Sequence, residues 1–163
     1  MPESVSLAKI LRDEDVLLGS PVETKAALLA DAADRIGRST GVAADIVLKA
    51  LADREKLGST AIGHGIAIPH AAIDDLTTPA AIMFRPARPI EFEAADSSRV
   101  DLVFVVVWPS DKRSGLLATL GQLCRALRAK TVQQDVRSAS SGAEVRHILE
   151  DAYGQTAARP PDT

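Results

Sequence analysis

A single cysteine, Cys124, rules out an internal disulfide and any cysteine-based metal pattern. Aromatic residues make up only 3% of the chain, too few for the stacking platforms that bind single-stranded nucleic acid. Positive charge is not in excess. The 19 Lys and Arg are set against 22 Asp and Glu, for a net charge of −3, so the basic footprint of a nucleic-acid-binding surface is missing too. No apolar run approaches the ~20 residues that a membrane-spanning helix requires. The longest, residues 102–108, has the length of a buried strand. Residues 1–15 carry scattered charges and lack the apolar core of a signal peptide. These absences point to a cytoplasmic protein with neither a membrane insertion nor a nucleic-acid partner.

What remains is ordinary for a globular domain. Of 163 residues, 46% are hydrophobic and 25% charged, enough for one domain with a real core. The expected domain spans residues 5–153, with 1–4 and 154–163 as flexible termini. Spacing predicts a short helix over 7–11, capped by Ser6, and a short strand over 16–18. Ser20-Pro21 opens a long helix whose apolar stripe is Ala26, Leu29, Ala30, Ala33 and Ile36. A second helix covers 42–54 and places Arg54 at its C-terminal end, where the helix dipole favours a cation. Strands follow at 65–68, 80–84 and 90–92, with a turn-rich loop over 71–78. Residues 101–108 form the strongest strand, apolar on both faces, so helices must cover both sides of its sheet. A helix after Pro109 carries Leu116, Leu117, Leu120, Leu123, Cys124 and Leu127 at helical spacing, which makes Cys124 a core thiol. Two short helices, over 131–138 and 144–153, complete the chain; His147 is a surface residue of the last. The fold class is α/β: a mixed four- or five-stranded sheet with helices on both faces.

The chemistry concentrates in residues 54–70, R-E-K-L-G-S-T-A-I-G-H-G-I-A-I-P-H. Glycines let backbone N–H groups approach a ligand closely. Ser59 and Thr60 with Gly63 and Gly65 are candidates for an anion-receiving nest. Pro69 precedes His70, which is read as lying just past a strand end, where loops carry chemistry. A neutral imidazole beside an anion-friendly backbone suits nucleophilic attack on phosphorus, with Arg54 as the guanidinium for the resulting dianion. No nucleotide-binding glycine motif is present. His64 and His70 lie six apart with only loop carboxylates nearby, which is no zinc spacing. No metal and no cofactor is expected.

The same 17-residue stretch resembles the signature of the enzyme IIA domains of the fructose/mannitol/nitrogen class in the phosphoenolpyruvate-dependent phosphotransferase system. The resemblance extends over roughly residues 5–153. It implies that His70 is the phosphoryl acceptor, that Arg54 stabilises the phosphoryl group, and that a small phosphocarrier protein is the donor. It also implies an α/β sandwich. R-E-K-L-G-S-T looks most like the nitrogen-regulatory type, whose members bind target proteins (a kinase, a transporter or a metabolic enzyme) according to phosphorylation state. Two alternatives stay open: a sugar-transporting IIA component that passes phosphate to a IIB domain, and a non-phosphorylated binding module of the same fold. The chain departs from the family at one point. Many members carry a second active-site histidine on the helix after the long strand, and here Ala118 takes its place. That puts the efficiency of transfer in question and leaves His64 as a candidate second imidazole.

Overall fold

The computed structural model describes residues 5–158. Its centre is β6 (Leu102–Pro109), buried at every position. It pairs antiparallel with β5 (Ala80–Pro86) on one edge, and β5 pairs in parallel with the outer strand β1 (Val16–Ser20). On its other edge β6 carries two short strands in succession, β3 (Ile66–Ala67) and β4 (His70–Ile73), both parallel to it. The hairpin partner β2 (Ala61–Gly63) closes that side. The sheet is mixed as expected, with six strands rather than four or five.

Both faces are covered. Val103, Val105 and Val107 point into a core shared with α2 (Lys25–Thr40) and α3 (Ala44–Lys56). Leu102, Phe104, Val106 and Trp108 point into a second core. That core is shared with α1 (Leu7–Ile10), α4 (Arg113–Leu127), α5 (Lys130–Ser138) and α6 (Gly142–Ala158). Alternation along one strand thus builds two hydrophobic layers. α4 can lie close because residue 115 is glycine: a Cβ there would stand 3.2 Å from the Trp108 ring.

Local signals account for most boundaries. Ser6 caps α1, its hydroxyl accepting from the Ala8 N–H at 3.3 Å. α2 begins later than expected. Ser20 ends β1, and the cap is Thr24, whose hydroxyl accepts from the Ala27 N–H at 3.1 Å. The α2 stripe is Leu28, Leu29, Ala32, Ala33 and Ile36, while Ala26 faces solvent. Residues 90–92 make no strand, only a bridge between Ile90 and Val100. The stretch read as a loop from Ala71 is the body of β4, because it finds a partner in β6 that its own composition does not announce. α6 runs to Ala158, so residues 154–158 are helical and not a loose tail; residues 1–4 and 159–163 lie outside the described residues.

Candidate active site

The break between β3 and β4 creates the site. Pro69 has no N–H to give to a ladder, so pairing on this edge of β6 is interrupted there. The Pro69 carbonyl still accepts from the Val106 N–H at 2.9 Å. The Ile68 N–H turns away and donates to the Thr60 carbonyl at 3.0 Å. His70 follows as the first residue of β4, opposite Val106. It therefore begins a strand, where the sequence reading put it just past one. Alternation sets it on the same face as Val106 and Trp108, the face that α4 covers.

The His70 ring is half-buried. Its Nδ1 lies 2.9 Å from the Ile68 carbonyl oxygen. A carbonyl only accepts, so Nδ1 carries the proton and Nε2 is left with its lone pair. The His70 pKa is lowered from its ordinary value, first by burial. The Ile68 carbonyl opposes that shift, the Arg54 charge adds to it, and the Glu55 charge opposes it. The imidazole is thus held neutral at pH 7, in the tautomer that presents Nε2 as a nucleophile.

The charges of Arg54 and Glu55 act on His70, and both residues lie in the last turn of α3, a helix that packs against β4. Arg54 folds back over the following loop, its Nη1 donating to the Gly58 carbonyl at 2.9 Å. Glu55 points inward, its side chain 6% exposed. It accepts from Lys25 Nζ at 2.9 Å and from the Thr60 hydroxyl. Lys25 also stands 4.8 Å above the centre of the Phe92 ring. Glu55 and Lys25 went unnoticed in the sequence. Glu55 had a signal, its place next to Arg54; Lys25, thirty residues upstream, had none.

The other candidates are placed differently. The Ser59 hydroxyl donates to the Phe92 carbonyl at 2.6 Å and accepts from the Ala61 N–H at 3.2 Å. The hydroxyl protons of Ser59 and Thr60 are thus committed within the protein. Gly63 and Gly65 flank the β2–β3 turn with φ of 91° and 76°, and His64 between them has φ of 58°. Charged groups hold that turn: Asp96 takes the His64 N–H and Arg137 donates to the His64 carbonyl. Arg137 is itself paired bidentately with Asp101, at 2.9 Å for each bond.

The turn lies at the far end of β3 from His70. Ile66 pairs with Leu102 and His70 with Val106. Four strand steps, about 13 Å, separate those levels, and His64 lies beyond Ile66. The exposed His64 ring, the candidate second imidazole, thus stands on the turn beyond Ile66, more than four strand steps from the level of His70. Gly63 and Gly65, two of the phosphate-contacting candidates, flank that same turn. Ala118 is half-buried on α4, and α4 carries no histidine. Ile66 and Ile68 are 1% and 3% exposed and belong to the core. The exposed large apolar side chains among the described residues are Ile46 on α3, Leu57 beside the Arg54 turn, Ile62 on β2 and Leu117 next to Ala118. Among the described residues no cluster of His, Cys, Asp or Glu could hold a metal ion, and no helix is long and apolar enough to cross a membrane.

Fold and site together define a class, the IIA sandwich of the phosphotransferase system. The nitrogen regulatory protein IIA-Ntr from Neisseria meningitidis shares the architecture at a TM-score of 0.85 and 30% identity, over 88% of this chain and 98% of that one. IIA mannitol from Escherichia coli shares the fold at a TM-score of 0.72 and 24% identity, over 85% and 98% of the two chains. More narrowly, the chain belongs to the family described as Phosphoenolpyruvate-dependent sugar phosphotransferase system, EIIA 2, which matches residues 9–152. A nitrogen regulatory protein of Klebsiella oxytoca is 33% identical over 150 residues, 91% of this chain and 93% of its own. The protein is of the nitrogen-regulatory IIA type, in a family of phosphotransferase-type phosphoryl carriers.

Proposed function

We propose that this protein accepts a phosphoryl group on His70 from a small phosphocarrier protein and regulates target proteins by binding them according to its phosphorylation state. The observation that carries the reading is the His70 ring: Nδ1–H is engaged by the Ile68 carbonyl, which leaves Nε2 bare and the imidazole neutral. The Nε2 lone pair attacks the phosphorus of the donor's phosphohistidine. The donor's P–N bond breaks as the new one forms, and the donor imidazole leaves with the electron pair. Arg54 supplies the nearby positive charge that a phosphoryl dianion needs. Leu57 and Leu117, 85% and 69% exposed, supply apolar contact for a transient partner. Within the regulatory class the target is a kinase, a transporter or a metabolic enzyme.

Incubation with enzyme I, phosphocarrier and phosphoenolpyruvate is the test. The mass should rise by one phosphoryl group, and the label should be acid-labile and base-stable. His70→Ala should abolish it, and His64→Ala and His147→Ala should keep it. Label that survives in His70→Ala defeats the assignment. No labelling of the wild type would favour the binding-module reading, for which Ala118 in place of a histidine is the specific support.

A further inference from the structure

The contact that holds the His70 ring continues into the protein interior. Three hydrogen bonds run in one direction from the His70 ring to a buried carboxylate, and a fourth, donated by its counter-ion, meets the carboxylate from the other side. His70 Nδ1–H donates to the Ile68 carbonyl at 2.9 Å. The Ile68 N–H donates to the Thr60 carbonyl at 3.0 Å. The Thr60 hydroxyl donates to Glu55, and Lys25 Nζ donates to Glu55 at 2.9 Å. A longer contact of 3.4 Å joins the Thr60 N–H to the same carboxylate.

We infer that Glu55, acting through Thr60, is a positioning residue that fixes the Ile68 carbonyl and with it the tautomer and orientation of His70. The inference rests on the reading of His70 as the phosphoryl acceptor. The physical reason lies in the break at Pro69. An ordinary strand would hold Ile68 through both neighbours, but Pro69 contributes no N–H. The hydrogen bond that holds the Ile68 backbone is the one to Thr60. Thr60 is 5% exposed and begins no regular element, since β2 starts at Ala61. Glu55 anchors it through the hydroxyl.

The side chain at position 55 must therefore accept from two donors at once, which a carboxylate does with its several lone pairs. It must also be charged to match Lys25, whose side chain is 18% exposed. The coupling is mechanical: the links pass through successive residues and not through one conjugated amide. An electrostatic part accompanies it, because the Glu55 charge offsets that of Arg54 at the His70 ring. In other histidine sites a carboxylate grips Nδ1 directly; here a backbone carbonyl does so, and the carboxylate holds the carbonyl in place.

The experiment uses the full chain with ¹⁵N-labelled histidine and compares wild type, Thr60→Val, Thr60→Ser and Glu55→Gln. Thr60→Val keeps the shape and removes the hydroxyl; Thr60→Ser restores it. Long-range ¹H–¹⁵N spectra report the His70 tautomer without any phosphoryl donor, and a parallel assay measures the rate of phosphoryl acceptance against pH. In Thr60→Val the ratio of Nδ1–H to Nε2–H tautomer should fall about three- to tenfold, the range of one modest hydrogen bond. The acceptance rate should fall with it, and Thr60→Ser should recover both. Glu55→Gln should lower the ratio and shift the pH profile to lower pH, since an offsetting negative charge is gone. A Thr60→Val protein with the wild-type tautomer ratio would overturn the inference, as would equal losses in Thr60→Val and Thr60→Ser, which would mark a packing effect. Absence of phosphorylation in the wild type would defeat the acceptor reading, while the tautomer ratios would still decide the positioning role.

Discussion

Gly65→Ala separates a turn glycine from a phosphate-binding one. Gly65 has φ of 76°, in the left-handed region. An L-residue there costs about 1–2 kcal/mol. The added Cβ would also stand 2.9 Å from Asp101 Oδ1, 3.0 Å from Arg137 Nη2 and 3.4 Å from the Arg99 carbonyl oxygen. The first two contacts force apart a bidentate pair whose side chains are 31% and 33% exposed. At that exposure the pair contributes at most ~1 kcal/mol. The sum is about 1–3 kcal/mol, which lowers Tm by roughly 2–12 °C in a domain of this size. Gly63→Ala is the control. Its φ of 91° carries the same backbone cost, but its Cβ would meet only Asp96 Oδ2, at 3.5 Å. Chemical and thermal denaturation should rank the two variants, with Gly65→Ala the less stable by up to ~1 kcal/mol. Phosphoryl acceptance at 20 °C should match the wild type in both, because the turn stands about 13 Å along the sheet from His70. Equal stabilities would refute the clash argument. A lost acceptance rate in a still-folded Gly65→Ala would refute the placement of the turn outside the site.

Three further outcomes follow from the same geometry. Arg54→Lys keeps a charge but loses the planar fork, so acceptance should slow while stability changes by less than ~1.5 kcal/mol, the value of its bond to the Gly58 carbonyl; stopped-flow transfer at the wild-type rate would return Arg54 to a helix-end role. Burial and Arg54 lower the His70 pKa, so the unfolded chain takes up a proton first as pH falls: stability from this group is complete above the unfolded value of about 6.5 and declines as pH drops toward the folded one. Acceptance follows the neutral fraction of the folded imidazole, so it should be flat above neutrality and fall only as pH drops through the lowered folded value; an NMR titration that puts His70 above about 6.5 would contradict it. Ala118→His restores an imidazole on the helix that covers the His70 face, and should lengthen the lifetime of the phosphohistidine in an acid-quench time course; an unchanged lifetime would show that α4 holds position 118 out of reach.

The buried run of β6, much of the helical stripes and the nearness in sequence of a helix-end arginine to a Pro-His pair were legible in the sequence, because each is a local pattern; Ala26 of α2 and Leu117 of α4, expected in the stripes, face solvent instead. Periodicity reports which side chains are buried, and a proline reports where a donor is missing. The family resemblance of residues 54–70 rested on the same contiguous signal. Pairing is another matter. Ala71 and Ala72 look like loop residues until β6 supplies their partners, and the carbonyl that sets the His70 tautomer is chosen by how the chain bends at Pro69. Lys25 meets Glu55 across 30 residues because α2 packs on α3. His64 and His70 are close in sequence yet held apart by the extended strand between them, at about 3.3 Å for each residue. Tertiary structure decided these points because a hydrogen bond depends on which two groups the completed sheet and helices bring within 3 Å, and neighbouring residues do not determine that.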